Sequence, residues 1–155
     1  MLTAFTHIPK TGGTTLNHIL RRYFGIGHLE LLRGSNPMYG HENIKKDFFL
    51  NPFLRSISGH QLHVYSDWGS FANQMRWCTF VREPVSRFLS HYFHQVREKK
   101  STLSFEEWVK RSPNMANFQV KWLAGREDLS AAKEILMHSY SAVGITERFE
   151  TSVHP

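Results

Sequence analysis

Three short stretches carry side chains whose types and spacing suit chemistry on an anion. The first is Pro9-Lys10-Thr11-Gly12-Gly13-Thr14-Thr15. Its glycines let the backbone approach an anion closely, Lys10 adds a charge, and Thr11, Thr14 and Thr15 add hydroxyl donors. A helix starting there would aim unpaired N–H groups and its positive dipole end at the same point. An ordinary strand-to-helix turn with a Thr cap reads the same way, so spacing alone leaves both open. It is not the nucleoside-triphosphate loop G-x-x-x-x-G-K-[ST], because Lys10 precedes the glycines instead of following them. The second stretch sets Arg82 and Ser90 eight residues apart. A guanidinium fork with a hydroxyl suits a terminal phosphate dianion; a surface Arg and a solvent-facing Ser are the plainer alternative. Arg87 between them reads as a second phosphate ligand or as a solvated cation. The third stretch is Ser58-Gly59-His60, where a neutral imidazole could accept a proton near physiological pH. His63 and His41 compete for that role in a chain with ten histidines.

The elements that must position these residues follow from periodicity. Leu2 to Ile8 is a short apolar strand. Leu16, Ile19, Leu20, Tyr23 and Phe24 make the one-sided stripe of a helix, which Gly25 and Gly27 end. Residues 34–53 give weak signals and read as a loop with one short helix from Glu42 to Phe49. Leu54 to Ser58 is a strand leading into Gly59-His60. Trp77 to Val81 is a buried strand, Arg82-Glu83-Pro84 turns the chain, and Pro84 suits a helix's first turn. Val85, Phe88, Leu89, Tyr92, Phe93 and Val96 then follow a helical stripe. Further helices are expected at Ser104 to Lys110, Asn114 to Leu123 and Leu129 to His138, with a last strand at Ser141 to Gly144. Strands alternating with helices predict an α/β fold of three layers, a central parallel sheet with helices on both faces. Ligands of such sheets lie beyond the strands' carboxyl ends, where Lys10 and Arg82 both fall.

Composition narrows the class. The 155 residues, 41% apolar and 21% charged, suit one folded domain over 1–155 and exclude a disordered chain. Nineteen Lys and Arg against 13 Asp and Glu give +6, which points to an anionic partner without choosing among nucleic acid, phosphate-bearing cofactor and acidic polysaccharide. Lys45, Lys46, Lys99 and Lys100 either attract an acidic polysaccharide or form a solvated surface. No run of 18 apolar residues suggests a membrane span, and the amino end lacks signal-peptide features. The expectation is a soluble, cytoplasmic protein. Cys78, the one cysteine, cannot form an internal disulfide or a thiolate zinc site and reads as a small buried hydrophobe.

At the level of motifs, His7 to Thr15 resembles the 5′-phosphosulfate loop of carbohydrate sulfotransferases that use 3′-phosphoadenosine 5′-phosphosulfate (PAPS). Thr79 to Tyr92 resembles their 3′-phosphate motif, closest to the heparan sulfate 2-O and 6-O group. Weaker echoes lie at Ser58-Gly59-His60, at Asn117 to Gly125 and at Val143 to Phe149. The resemblance implies a P-loop-like fold and in-line transfer of a sulfuryl group from PAPS to a carbohydrate hydroxyl, the acceptor acidic or neutral, with no metal. Lys10 would neutralise the leaving oxygen, and the N–H groups of Thr11, Gly12, Gly13, Thr14 and Thr15, with the two Thr hydroxyls, would hold the 5′-phosphate. Arg82 and Ser90 would grip the 3′-phosphate, and His60 would be the base. Phe118 and Trp122 read either as adenine stackers or as core, while Trp68, Trp77 and Trp108 belong to packing. The Asp67-Trp68 pair would border the acceptor groove. Animal members of this group carry a membrane anchor and stem before this region, and family members usually continue through further helices after it. Met1 therefore reads as a natural start, and the chain's end as a possible truncation. Two rivals remain: a P-loop small-molecule kinase, and a basic nucleic-acid-binding module without catalysis.

Overall fold

The apolar run at the amino end forms strand β1 (Leu2–Thr6), the middle strand of a five-stranded sheet. The computed structural model describes residues 1–31 and 38–153, so the loop expected at residues 34–37 lies outside the described residues. The remaining strands are β2 (His28–Glu30), β3 (Ser56–Gly59), β4 (Met75–Val81) and β5 (Tyr140–Ile145). Neighbours run parallel throughout, in the order β2-β3-β1-β4-β5. The helices are α1 (Gly13–Phe24), α2 (His41–Leu50), α3 (Pro84–Arg97), α4 (Phe105–Lys110), α5 (Phe118–Ala124), α6 (Leu129–His138) and α7 (Phe149–Val153).

Side chains alternate across a strand, so β1 feeds two cores. Leu2 and Ala4 pack with Ile57 and Trp77 against Ile44 of α2, Leu123 of α5 and Ala132 of α6. Phe5 and Phe80 pack on the other side against Leu16 and Leu20 of α1, with Phe149 and Val153 of α7 beside them. Helices therefore cover both faces, the three-layer α/β arrangement. A column of buried hydroxyls joins the strands: Thr79 donates to the Thr6 carbonyl at 2.9 Å, and Tyr140 donates to Thr6 Oγ1 at 2.9 Å. Trp68, Trp77 and Trp108 are all buried. No helix among the described residues is long and apolar enough to cross a membrane.

Several expectations are corrected. β1 stops at Thr6, and β3 begins at Ser56 instead of Leu54. The three-residue edge strand β2 was not foreseen, being too short to show a period. Its Glu30 accepts from Asn17 Nδ2 at 2.7 Å and pairs with Arg21, which ties β2 to α1. The helix expected over Asn114 to Leu123 is split into a 3₁₀ turn at Pro113–Met115 and α5. Asn117, left-handed at φ 49°, breaks it.

The apolar stripe of α3 is not its buried face. Val85 and Phe93 are exposed, while Phe88 and Tyr92 pack sideways on Phe105 and Trp108. Arg87 is the residue that α3 buries. Local signals nonetheless set this helix's start. Pro84 fills its first position, and Glu83 caps it by accepting from the N–H groups of Val85 (2.9 Å) and Ser86 (2.6 Å).

Candidate active site

The strand order creates a crevice. From β1 the chain departs towards β2, and from β4 it departs towards β5, so these adjacent strands part at their carboxyl ends. Lys10 and Arg82 lie just past those two ends, and His60 follows β3 on the other side of β1. A cleft of about 310 Å³ opens there. Of the residues singled out by sequence, Lys10, Gly12, Gly13, Thr14, His60, Arg82 and Ser90 line it.

The loop after β1 is held in a strained shape. Lys10 (φ 72°) and Gly12 (φ 83°) are both left-handed. Gly13 is needed for a different reason: a Cβ there would fall 2.0 Å from Cδ2 of the His7 ring. The hydroxyl of Thr11 is not available to a ligand, because it is buried and donates to the Ile8 carbonyl at 2.9 Å. Thr15 is exposed beyond the cleft lining, and its N–H donates to the Gly12 carbonyl at 3.1 Å. Gly12, Gly13 and Thr14 are the loop residues left facing the opening after Lys10.

Arg82 enters from the second loop. Its Nη1 donates to the Lys10 carbonyl at 3.3 Å, and its Nε lies 3.7 Å from Glu147 Oε1, too long for a hydrogen bond. Nε is buried and makes no hydrogen bond among the described residues, so the Glu147 ion pair and the Lys10 carbonyl are the guanidinium's polar contacts. Burial, then Arg97 and Arg82, lower the Lys10 pKa, opposed only by Glu98. Burial and then Lys10 act in the same direction on His94, which also lines the cleft. The crevice holds more cation than its own carboxylates neutralise. Its lining carries Lys10, Arg82 and Lys100 and no carboxylate among the described residues, which suits an anion.

His60 Nδ1 lies 2.6 Å from the His7 carbonyl, which can only accept. The neutral ring therefore carries its proton on Nδ1. The His7 ring lies 4.2 Å from the His60 ring, and Trp122 meets it edge-on at 6.1 Å. His63 sits behind this group, buried, stacked on Tyr65 and bonded through Nδ1 to the Trp122 carbonyl at 3.3 Å. His41 and Asp67 line a separate surface depression, and Trp68 is buried in the core, so the Asp67-Trp68 pair does not border this cleft.

Other placements depart from the sequence reading. Arg87 is not a solvated cation: it is 2% exposed, with its guanidinium 4.3 Å from the centre of the Phe118 ring. Among the lysines, Lys100 lines the cleft, while Lys45, Lys46 and Lys99 are exposed outside it. His7, His91 and Gln95 were not foreseen as lining residues. Thr146 was missed as well. Its one hydroxyl hydrogen is shared between the carbonyls of Thr11 (2.8 Å) and Val81 (3.1 Å), joining the two loops from behind. Glu147 adds to that joint by accepting from the Glu83 N–H at 3.1 Å. Thr146 and Glu147 fall in the weak echo Val143 to Phe149, but nothing in their spacing announced this role.

Comparison with known proteins adds two findings. The sequence model of the Sulfotransferase family matches residues 3–141, a span that includes both loops and His60. Heparan-sulfate 6-O-sulfotransferase 2 of Gallus gallus is 28% identical over 131 residues, covering 72% of this chain and 32% of that protein. The chain thus spans about a third of the length of the curated relative it matches.

Proposed function

The chain belongs to the sulfotransferase family, and on that premise we propose that it moves a sulfuryl group from PAPS to a hydroxyl of a carbohydrate acceptor. One observation carries the reading. Lys10, His60, Arg82 and Ser90, brought from three adjacent strand ends, line a single cation-rich cleft. The choice of a carbohydrate acceptor draws on the relative's name.

When bound, PAPS supplies an activated sulfuryl group whose bond to the 5′-phosphate oxygen breaks as the acceptor oxygen bonds to sulfur. The protein's part is positioning and charge. Lys10 offsets the negative charge that grows on the departing phosphate oxygen. Gly12, Gly13 and Thr14 cradle the 5′-phosphate at the start of α1, where the helix's first N–H groups have no helical partner. Arg82 and Ser90 hold the 3′-phosphate. His60 takes the acceptor's proton, its ring held by the Nδ1–H bond to the His7 carbonyl.

The first test is ligand-induced stabilisation by adenosine 3′,5′-bisphosphate, by ATP with magnesium and by single-stranded DNA. A ligand at 100 times its dissociation constant stabilises by about 2.7 kcal/mol, and only the bisphosphate should do so. Stabilisation by ATP or DNA instead would favour the kinase or the nucleic-acid module. Labelled sulfate from PAPS should then appear on a heparan-type chain. Transfer to non-carbohydrate hydroxyls alone would reject the acceptor class.

A further inference from the structure

Arg82 is the first residue beyond β4, where the ladder that holds the strand has ended. A peptide at that point needs another partner to keep one orientation. Gln119 of α5 supplies it. Gln119 Oε1 accepts from the Arg82 N–H at 2.9 Å, and Gln119 Nε2 donates to the Arg82 carbonyl at 2.7 Å. The side-chain amide thus pairs with both backbone groups of one residue, as a neighbouring strand does in a hydrogen-bonded pair. Both bonds are shorter than the contact from Arg82 Nη1 to Lys10 at 3.3 Å.

The clamp is itself anchored. Phe118, one residue before Gln119, lies under the buried Arg87 guanidinium at 4.3 Å. Asn117, one residue earlier, is left-handed at φ 49° and donates to Glu127 at 2.6 Å. The turn that opens α5 is therefore fastened at each of three successive residues, and its middle one packs on α3, the helix that carries Ser90.

We infer that Gln119 is the positioning residue that orients Arg82 for recognition of a 3′-phosphate. The inference rests on the proposed role of Arg82. Gln119 acts through the Arg82 peptide and touches no ligand itself. Rotating that peptide would swing the guanidinium off its line into the cleft while leaving the glycine turn and Lys10 where they are. Loss of the clamp should therefore cost the 3′-phosphate contact and spare the 5′-phosphate.

The experiment measures calorimetric affinities for adenosine 3′,5′-bisphosphate and adenosine 5′-monophosphate on the parent protein, Gln119→Met and Gln119→Glu. Met keeps the length and bulk of Gln and can form neither bond; Glu keeps an acceptor for the Arg82 N–H and cannot donate to its carbonyl. The parent should prefer the bisphosphate. Each variant should lose about tenfold of that preference, the scale of one charge-assisted hydrogen bond, with monophosphate affinity unchanged. A parent that discriminates beside variants that discriminate equally well overturns the clamp and leaves the Arg82 assignment standing. A parallel fall in both affinities also overturns it, because Gln119 would then be merely structural. A parent with no preference overturns the Arg82 assignment, and the clamp's role with it. Should circular dichroism show that Gln119→Met does not fold, Gln119→Asn, one methylene too short to span both groups, reads out the same ratio.

Discussion

At φ 72°, Lys10 holds a backbone conformation that costs an L side chain roughly 1–2 kcal/mol and a glycine nothing. Two glycines stand two and three positions later, so the loop had the simpler option within reach. The strain is retained along with a cation whose charge is already disfavoured by burial and then by Arg97 and Arg82. Such a combination is expected where the charge is used. Lys10→Gly should therefore unfold in urea within about 1 kcal/mol of the parent, relief of strain being partly offset by a more flexible unfolded chain. Its sulfuryl transfer should fall by about 10²–10³-fold, the usual loss for one group that stabilises developing negative charge. Near-parental turnover would remove Lys10 from the leaving-group role, and a collapse in stability would show that its charge serves the fold. The same separation applies to His60. His60→Ala should lower turnover by ~10²–10⁴-fold while bisphosphate affinity stays level, because the base meets the acceptor and not the nucleotide. A variant that transfers normally would return the choice of base to other groups.

Among the elements, legibility followed the physics of each signal. Helix α6 was read end to end, since Asp128 caps it through the Ala131 N–H and His138 closes it, both local features. The loop after β1 and the turn after β4 were legible for the same reason: glycine, proline and charge there act within a few residues. Helix α3 was read correctly for its extent and incorrectly for its face. Its stripe of Val85, Phe93 and Val96 stays exposed, because the site recruits the opposite set, Ser90, His91 and His94, towards the cleft. Residues that serve by reaching across the fold, Gln119 and Thr146, carry no periodic or local mark at all. Arg87 also reaches across the fold, to Phe118. It is desolvated, its pKa is pushed down to about 10 by burial, and Nη1 has no hydrogen-bond partner among the described residues. Stacking on Phe118 returns about 2 kcal/mol of the desolvation cost. Arg87→Met, which keeps a long side chain over Phe118 without the charge, should be as stable as the parent to within about 1 kcal/mol, or more stable. A loss of several kcal/mol in chemical denaturation would mean that the cation is held by more than the ring.

Across the whole molecule, the parallel sheet separates two demands on histidine. At the carboxyl ends of the strands, imidazoles line a polar, cation-rich cleft. Beneath it they are packing groups. His63 is wedged between Tyr65 and Trp122, and burial lowers its pKa more than its bond to the Trp122 carbonyl raises it. His28, near Ser56 and Ser58 of β3, is lowered mainly by burial too, with Glu30 opposing and Arg21 assisting. In both cases the folded state binds its proton more weakly than the unfolded chain, whose histidines titrate near 6.5. The unfolded state therefore holds more protons in the window below that value, and stability rises with pH across it. The stabilisation is fully present above about pH 7 and is lost as pH falls through 6.5 towards the lowered folded values. Melting temperature should accordingly hold steady from about pH 8 to 7 and then drop towards pH 5.5, by about 2–4 °C for each kcal/mol lost in a chain of this size. His63→Phe keeps a ring against Tyr65 and removes the proton site, so its melting curve should move less over the same interval. Equal acid sensitivity in parent and variant would acquit His63 and leave His28, whose replacement by Phe repeats the measurement.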